Sequence, residues 1–182
     1  GVELMTSGDL RVVDEEMRDV PRDGVTLGEI VARGNVVRKG YYNDPQATET
    51  AFRGGYFHTG DAAVVHPDSY VEIRDRYKDV IISGGSNIYP REVEEALLAH
   101  PAVDQCAVIG VPDSHWGESV KAFIVLKPGH EMTRAAIADW VGAHIAGYKK
   151  PRYVEFVAAL PRNVSGKVLK SELASYTAGS TS

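Results

Sequence analysis

Cysteine is almost missing from this chain: 182 residues contain one, Cys106. A lone thiol can close no internal disulfide and build no cysteine-ligated metal cluster. Its place in the apolar run Cys106-Ala-Val-Ile109 marks it as a core thiol rather than a nucleophile. Basic charge is also short, with 20 Lys and Arg against 25 Asp and Glu and a net charge of −5. That balance argues against a broad basic surface for duplex nucleic acid, although Tyr148-Lys-Lys-Pro-Arg152 forms a local basic patch. No apolar run approaches the length of a membrane span, and the opening Gly1-Val-Glu-Leu-Met-Thr6 has neither the basic start nor the apolar core of a signal peptide. A cytoplasmic protein is therefore expected. The six histidines stand at no metal-ligand spacing, and no Gly-x-Ser-x-Gly elbow occurs, so neither a metal site nor a hydrolase is expected. What is present, 43% hydrophobic and 25% charged residues, is the composition of a folded globular chain long enough for one domain or two small ones.

The texture changes along the chain. Up to about Arg74, short β-like runs (Leu10-Arg-Val-Val13, Gly28-Glu-Ile-Val-Ala-Arg33, Ala63-Val-Val65, Tyr70-Val-Glu-Ile73) are separated by turn chemistry such as His66-Pro-Asp-Ser69. One helix is predicted at residues 45–52, with Asp44 as N-cap and Pro45 at its first position. Beyond Arg76 helices and strands alternate. Helices are predicted over residues 89–100, from the N-cap Thr133 to a closing Gly147 with Ile137, Trp140, Val141 and His144 inward, and over residues 168–176; strands are predicted at 105–111, 120–126 and 153–157. The organisation predicted is a β-rich part at 1–75, a hinge at 76–79, an α+β domain at 80–177 and a disordered tail at 178–182.

Three segments carry candidate chemistry. Gly55-Tyr-Phe-His-Thr-Gly-Asp61 ends in a carboxylate whose two oxygens could accept hydrogen bonds from the hydroxyls of a ribose, though Thr-Gly-Asp by itself reads as a turn. The second runs from Asp75 to Glu94. In it Arg76 and Lys78 precede the apolar run Val80-Ile-Ile82, expected to be buried, and Ser83-Gly-Gly-Ser-Asn87 follows; adjacent glycines indicate positive backbone angles or the close approach of a thin ligand. In Pro161-Arg-Asn-Val-Ser-Gly-Lys167 an ammonium on a long stem is delivered from a glycine-bearing loop, which suits transient neutralisation of phosphate charge; a solvated lysine is the other reading. Val168 stands where a Walker loop needs Ser or Thr.

Together these segments resemble the adenylate-forming superfamily: acyl-CoA synthetases, aryl-CoA ligases, luciferases and peptide-synthetase adenylation domains. The resemblance extends from Gly28-Glu-Ile-Val-Ala-Arg-Gly34 and Gly40-Tyr-Tyr-Asn-Asp-Pro45 to Leu169, and Val108-Ile-Gly-Val-Pro-Asp113, Trp116-Gly-Glu118, Tyr148-Lys-Lys-Pro151 and Leu160-Pro-Arg-Asn163 point to the fatty or aryl acyl-CoA ligase branch. The resemblance implies the end of a large-domain β-subdomain followed by a small mobile C-terminal α+β domain. It implies that Asp61 and Arg76 serve the ATP ribose, that Lys78 is the hinge, that Gly85 lines the pantetheine path, that Asn87 faces the nucleotide phosphates and that Lys167 promotes adenylation. Trp116, Tyr148 and Lys150 are its candidates for CoA contact. The reaction implied is carboxylate plus ATP to acyl-adenylate and pyrophosphate, then CoA attack to give acyl-CoA and AMP. Mg2+ is implied for the parent enzyme without ligands in this chain, and homo-oligomerisation is left open. Because the chain opens on Gly1, residue 1 is expected to be an internal position of a longer polypeptide, and the chain alone is expected to be inactive. The alternatives are a peptide-synthetase adenylation domain and a non-catalytic interaction or regulatory module.

Overall fold

The computed structural model describes residues 8–34, 48, 49 and 51–176. The predicted Asp44 cap and Pro45, the Gly40 to Pro45 segment and the 178–182 tail lie outside those residues. The chain forms two compact units, Gly1–Lys78 and Asp79–Ser182, and the architecture is mixed α+β.

The first unit is an antiparallel meander of β1 (Asp9–Val13), β2 (Gly28–Arg33), β3 (Phe57–Val65) and β4 (Val71–Arg76), in that spatial order. Because consecutive side chains leave a pleated strand on opposite sides, Val12 and Ile30 join Val20 and Ala63 on one face, while Val13 and Val31 meet Tyr56 on the other. Strand β3 begins six residues before the predicted Ala63. Its polar first half, His58 to Asp61, reads as a loop. Main-chain pairing of Val31 with His58 and of Asp61 with Arg76 nevertheless draws it into the ladder, with irregular register at Glu29/Val31 and Ala62/Ala63. Thr48, Glu49 and Ala51 are helical.

A short 3-10 turn, Tyr77–Asp79, leads to the second unit. There β5 (Ile81–Ser83), β6 (Ser86–Ile88), β7 (Val103–Asp113) and β8 (Gly117–Leu126) form a sheet in the order β6-β5-β8-β7, with β9 (Tyr153–Phe156) parallel to β8. Alternation along β7 and β8 feeds two cores. Val108, Val120, Ala122 and Ile124 face α1 (Pro90–Leu98) and α2 (Arg134–His144) through Val93, Leu97, Ile137 and Val141, and Ala107, Ile109, Val111 and Phe123 meet Leu160 and Leu173 of α3 (Lys170–Tyr176) on the other face. Pro90 sits at the first turn of α1, where its missing N–H costs nothing, and Thr133 caps α2 by accepting from Ala136 N at 3.1 Å.

Several expectations are corrected. Gly147 does not close α2: the chain turns extended at Ile145, whose N–H bonds Val141 O, and Gly147 opens a separate 3-10 turn, Gly147–Lys149. His144 is exposed rather than inward. Its Nδ1 lies 2.7 Å from Trp140 O, and its ring stacks on the Trp140 indole. Ile82 is exposed while Ile81 is buried, because β5 alternates instead of lying in the core on both sides. Cys106 is half-buried against the core; burial first, and Glu94 second, push its thiol up to about 12, which disfavours the thiolate. Among the described residues no helix is long and apolar enough to cross a membrane.

Candidate functional sites

In the first unit Asp61 and Arg76 are register partners on β3 and β4. The Arg76 Nη1 donates to Asp61 Oδ1 at 2.8 Å and to Thr59 O at 3.1 Å. Gly60 adopts a φ of 74°, open to glycine, and its N–H donates to Glu29 Oε1 at 3.0 Å. The second Glu29 oxygen lies 2.7 Å from His58 Nδ1. Thr59 Oγ1 donates to Ile30 O and accepts from Asp61 N, tying the side chain before the carboxylate into the adjoining strand. The result is a half-exposed carboxylate of fixed direction with a guanidinium beside it, able to accept two vicinal hydroxyls.

The second unit holds a cleft of about 370 Å³ lined by Gly84, Trp116, Ser119, Tyr148, Lys150 and Arg152 among others. Gly84 and Gly85 form the two-residue turn between β5 and β6 at φ values of 56° and 78°, which glycine adopts without strain. A Cβ on Gly84 would stand 2.7 Å from Trp116 Cε3, so the indole rests on bare backbone; Gly84 N also donates to Trp116 O at 2.9 Å. A Cβ on Gly85 would meet nothing within 4 Å. Tyr148 and Lys150 come from the 3-10 turn after α2. The intervening Lys149 points elsewhere and binds both oxygens of Glu92 at 2.7 Å. Asp113 accepts from His115 N, Trp116 N and the Ser119 hydroxyl. The hydroxyl first, then the two amides, draw its carboxyl down to about 2. Two exposed aromatic faces, two cations and serine hydroxyls around one cleft suit a purine carrying phosphates.

The remaining expected residues lie outside the lining of this cleft. Asn87 is exposed on β6 opposite Ile82, and Lys78 is exposed in the Tyr77–Asp79 turn. Lys167 is exposed on a turn closed by the Arg162–Val168 bridge. There Asn163 Oδ1 accepts from Ser165 N, the Ser165 hydroxyl and Lys167 N, and Gly166 takes a φ of 83°. Lys167 makes no ion pair among the described residues. Within those residues no group of three His, Cys, Asp or Glu is placed to hold a metal.

Ser83, Ser86, Ser119 and Arg152 line the cleft and were not singled out from the sequence. Arg152 lay in the quoted basic patch and could have been chosen with Lys150. Asp113 carried a readable signal as well, since a carboxylate just ahead of a turn caps it by accepting the N–H groups two and three residues on. Glu118 gave none: its Oε2 accepts from Ile82 N at 2.7 Å, a bond across 36 residues that holds the glycine hairpin to β8.

Known proteins are similar to this chain in fold and in sequence. The AMP-binding enzyme C-terminal domain matches residues 92–167. An acetate–CoA ligase from Humulus lupulus is 46% identical over 179 residues, covering 95% of this chain and 31% of that protein. A feruloyl-CoA synthase from Amycolatopsis sp is 50% identical over 146 residues, covering 80% of this chain and 30% of the relative. Among solved structures, ATP-bound MatB from Rhodopseudomonas palustris superposes with a TM-score of 0.81 at 38% identity, covering 95% of this chain and 34% of that one. The o-succinylbenzoate CoA synthetase of Bacillus subtilis, in complex with its acyl-adenylate intermediate, reaches a TM-score of 0.83 at 34% identity, with coverages of 95% and 34%. The chain thus spans about a third of the length of these relatives; residues 92–167 carry the AMP-binding enzyme C-terminal domain, and the chain as a whole is similar to the C-terminal part of adenylate-forming acyl-CoA ligases.

Proposed function

We propose that the chain supplies the ribose clamp, the hinge and the CoA-binding domain of an AMP-forming acid–CoA ligase. The observation that carries this reading is the cleft of the second unit, where Gly84, Trp116, Tyr148 and Lys150, drawn from three separate segments, line one cavity. In the first half-reaction Asp61, steadied by Arg76, accepts the ribose hydroxyls of ATP. Lys167 neutralises charge gathering on the α-phosphate as the carboxylate attacks, and Asn87 adds an amide toward the phosphates. In the second, the adenine of CoA lies between Trp116 and Tyr148, Lys150 and Arg152 meet its phosphates, and the pantetheine arm passes over the Gly84-Gly85 turn toward the acyl-adenylate. Lys78 would be the pivot between the two arrangements. Acid, ATP and CoA are the proposed substrates, and the acyl pocket is not carried by the residues described.

CoA binding to the 182-residue chain is the direct test. Titration should quench the Trp116 fluorescence, and the change should vanish in Trp116→Phe. The affinity should fall about tenfold in Lys150→Ala, the loss expected when one charge-assisted contact is removed. No binding of CoA at millimolar concentration would refute the assignment of the cleft.

A further inference from the structure

The loop that presents Trp116 is built around one side chain outside the cleft lining. Strand β7 ends at Asp113 and β8 begins at Gly117, and these two residues form the closing pair of the hairpin. Asp113 Oδ1 accepts from His115 N at 2.9 Å and Trp116 N at 3.1 Å, while Oδ2 accepts the Ser119 hydroxyl at 2.7 Å. The Arg152 guanidinium stands 3.6 Å from the same Oδ2; the Asp113 side chain is 6% exposed and that of Arg152 53%. One nearly buried carboxylate therefore meets the main chain that carries the Trp116 indole, a hydroxyl and a cation of the cleft. The indole is held from its other side by Gly84. A carboxylate at the surface of an anion site would repel the ligand, but this one is enclosed by three hydrogen-bond donors with a guanidinium at ion-pair distance, and it fixes the direction of groups that remain exposed.

We infer that Asp113 is the positioning residue of the nucleotide end of the cleft. It sets the Trp116 loop through two backbone amides and tethers Arg152 over the opening. The inference rests on the CoA reading of the cleft for its ligand, but not for its geometry. Stacking on an aromatic face is lost when that face is free to move, and a tethered guanidinium meets a phosphate with less ordering left to do.

The 182-residue chain labelled with 5-fluorotryptophan gives two 19F signals, and Trp116→Phe assigns them. In Asp113→Ala the Trp116 signal should broaden and shift. The Trp140 signal, from an indole bonded to Ala96 O and packed on the core, should stay in place. The affinity for CoA should fall about tenfold. Asp113→Asn keeps an acceptor for both amides and discards the charge: the Trp116 signal and the affinity for adenosine should return to wild type, while the affinity for CoA stays about threefold weaker because Arg152 has lost its tether. Wild-type signal and wild-type CoA affinity in Asp113→Ala would overturn the inference while leaving the CoA assignment intact. A wild-type chain that binds no CoA, with the Trp116 signal still displaced by Asp113→Ala, would refute the assignment and uphold the positioning role. Should Asp113→Ala move the Trp140 signal too, the decision falls to Asp113→Asn, where CoA and adenosine affinities both equal to wild type would overturn the inference.

Discussion

The two units hold their candidate groups in different ways. In the meander, Asp61 and Arg76 stand on adjacent strands, and the ladder that pairs Asp61 with Arg76 also sets the direction of both side chains. In the α+β unit the corresponding groups sit on turns: Gly84 and Gly85 between β5 and β6, Trp116 between β7 and β8, Tyr148 and Lys150 after α2, and Lys167 before α3. A turn has no ladder. Its shape is fixed by side chains that reach back to the main chain, namely Asp113, Glu118 and Asn163. Side-chain to main-chain bonds support both sites, through Glu29 and Thr59 in the first, but only the first also has its two charged groups on paired strands.

The largest effect expected separates the units by their cores. Phe123→Ala, in the two-faced core of the α+β unit, should cost about 3 to 5 kcal/mol there, whereas Val31→Ala in the thinner meander should cost about 1 to 3 kcal/mol. Hydrogen exchange followed peptide by peptide should show the loss of protection confined to the mutated unit. Equal loss in both units would break the comparison.

A second effect concerns the proposed chemistry, in a polypeptide that supplies the remaining length of the relatives. Lys167→Ala should slow pyrophosphate release from ATP and acid by about a hundredfold or more, roughly 3 kcal/mol, and spare CoA consumption from synthetic acyl-adenylate. Gly85→Leu should do the reverse. It must place a side chain at a φ of 78° on the face where the thiol arm would pass. Equal losses in both half-reactions for both variants would rule out the division of labour.

The smallest effect sharpens the comparison by showing where the units agree. Asp23 in the meander and Asp113 in the α+β unit both cap turns, and hydrogen bonds to Thr26 and to Ser119 respectively hold each carboxyl at about 2, below its ordinary value of 3.8. A folded value below the unfolded one means the stabilisation is complete above about pH 4 and is lost as pH falls through about 2. A carboxyl 13C titration should find both midpoints near the lower figure. Either one titrating near 4 would mean its turn is not capped in solution.

How much of this could be read in the sequence follows the same division. Gly28–Arg33 was legible residue for residue because the short apolar run Ile30-Val-Ala32, with two β-branched residues, stands between a glycine and an arginine. The helices were legible at Pro90 and Thr133, where start signals are local. The early start of β3 was not, since His58 to Asp61 join the sheet through partners about 15 to 30 residues away, and polar residues near a glycine look like a loop. His144 misled because helical spacing gives a face but not its end: Val141 is still buried, whereas Ala143 and His144 at the end of α2 are exposed. In the cleft the aromatic and basic residues were legible by type. Ser83, Ser86 and Ser119 were not, because serine is common and only the meeting of β5, β6 and β8 gives these three a shared neighbour.

Strand β9 joins β8 in parallel, with Lys121 beside Tyr153 and Ile124 beside Phe156, and Arg152 N donates to Val120 O just before that ladder starts. Parallel neighbours cannot be joined by a tight turn, so all of α2 and the Tyr148 turn must be synthesised, formed and carried across before this edge closes. On the ribosome the hairpin of β7 and β8 can therefore close early. The wall bearing Tyr148, Lys150 and Arg152 joins later, by contacts distant in sequence and correspondingly slow to form. A nascent chain halted before Phe156 would leave the β9-facing edge of β8 unpaired, an open template for pairing with another chain.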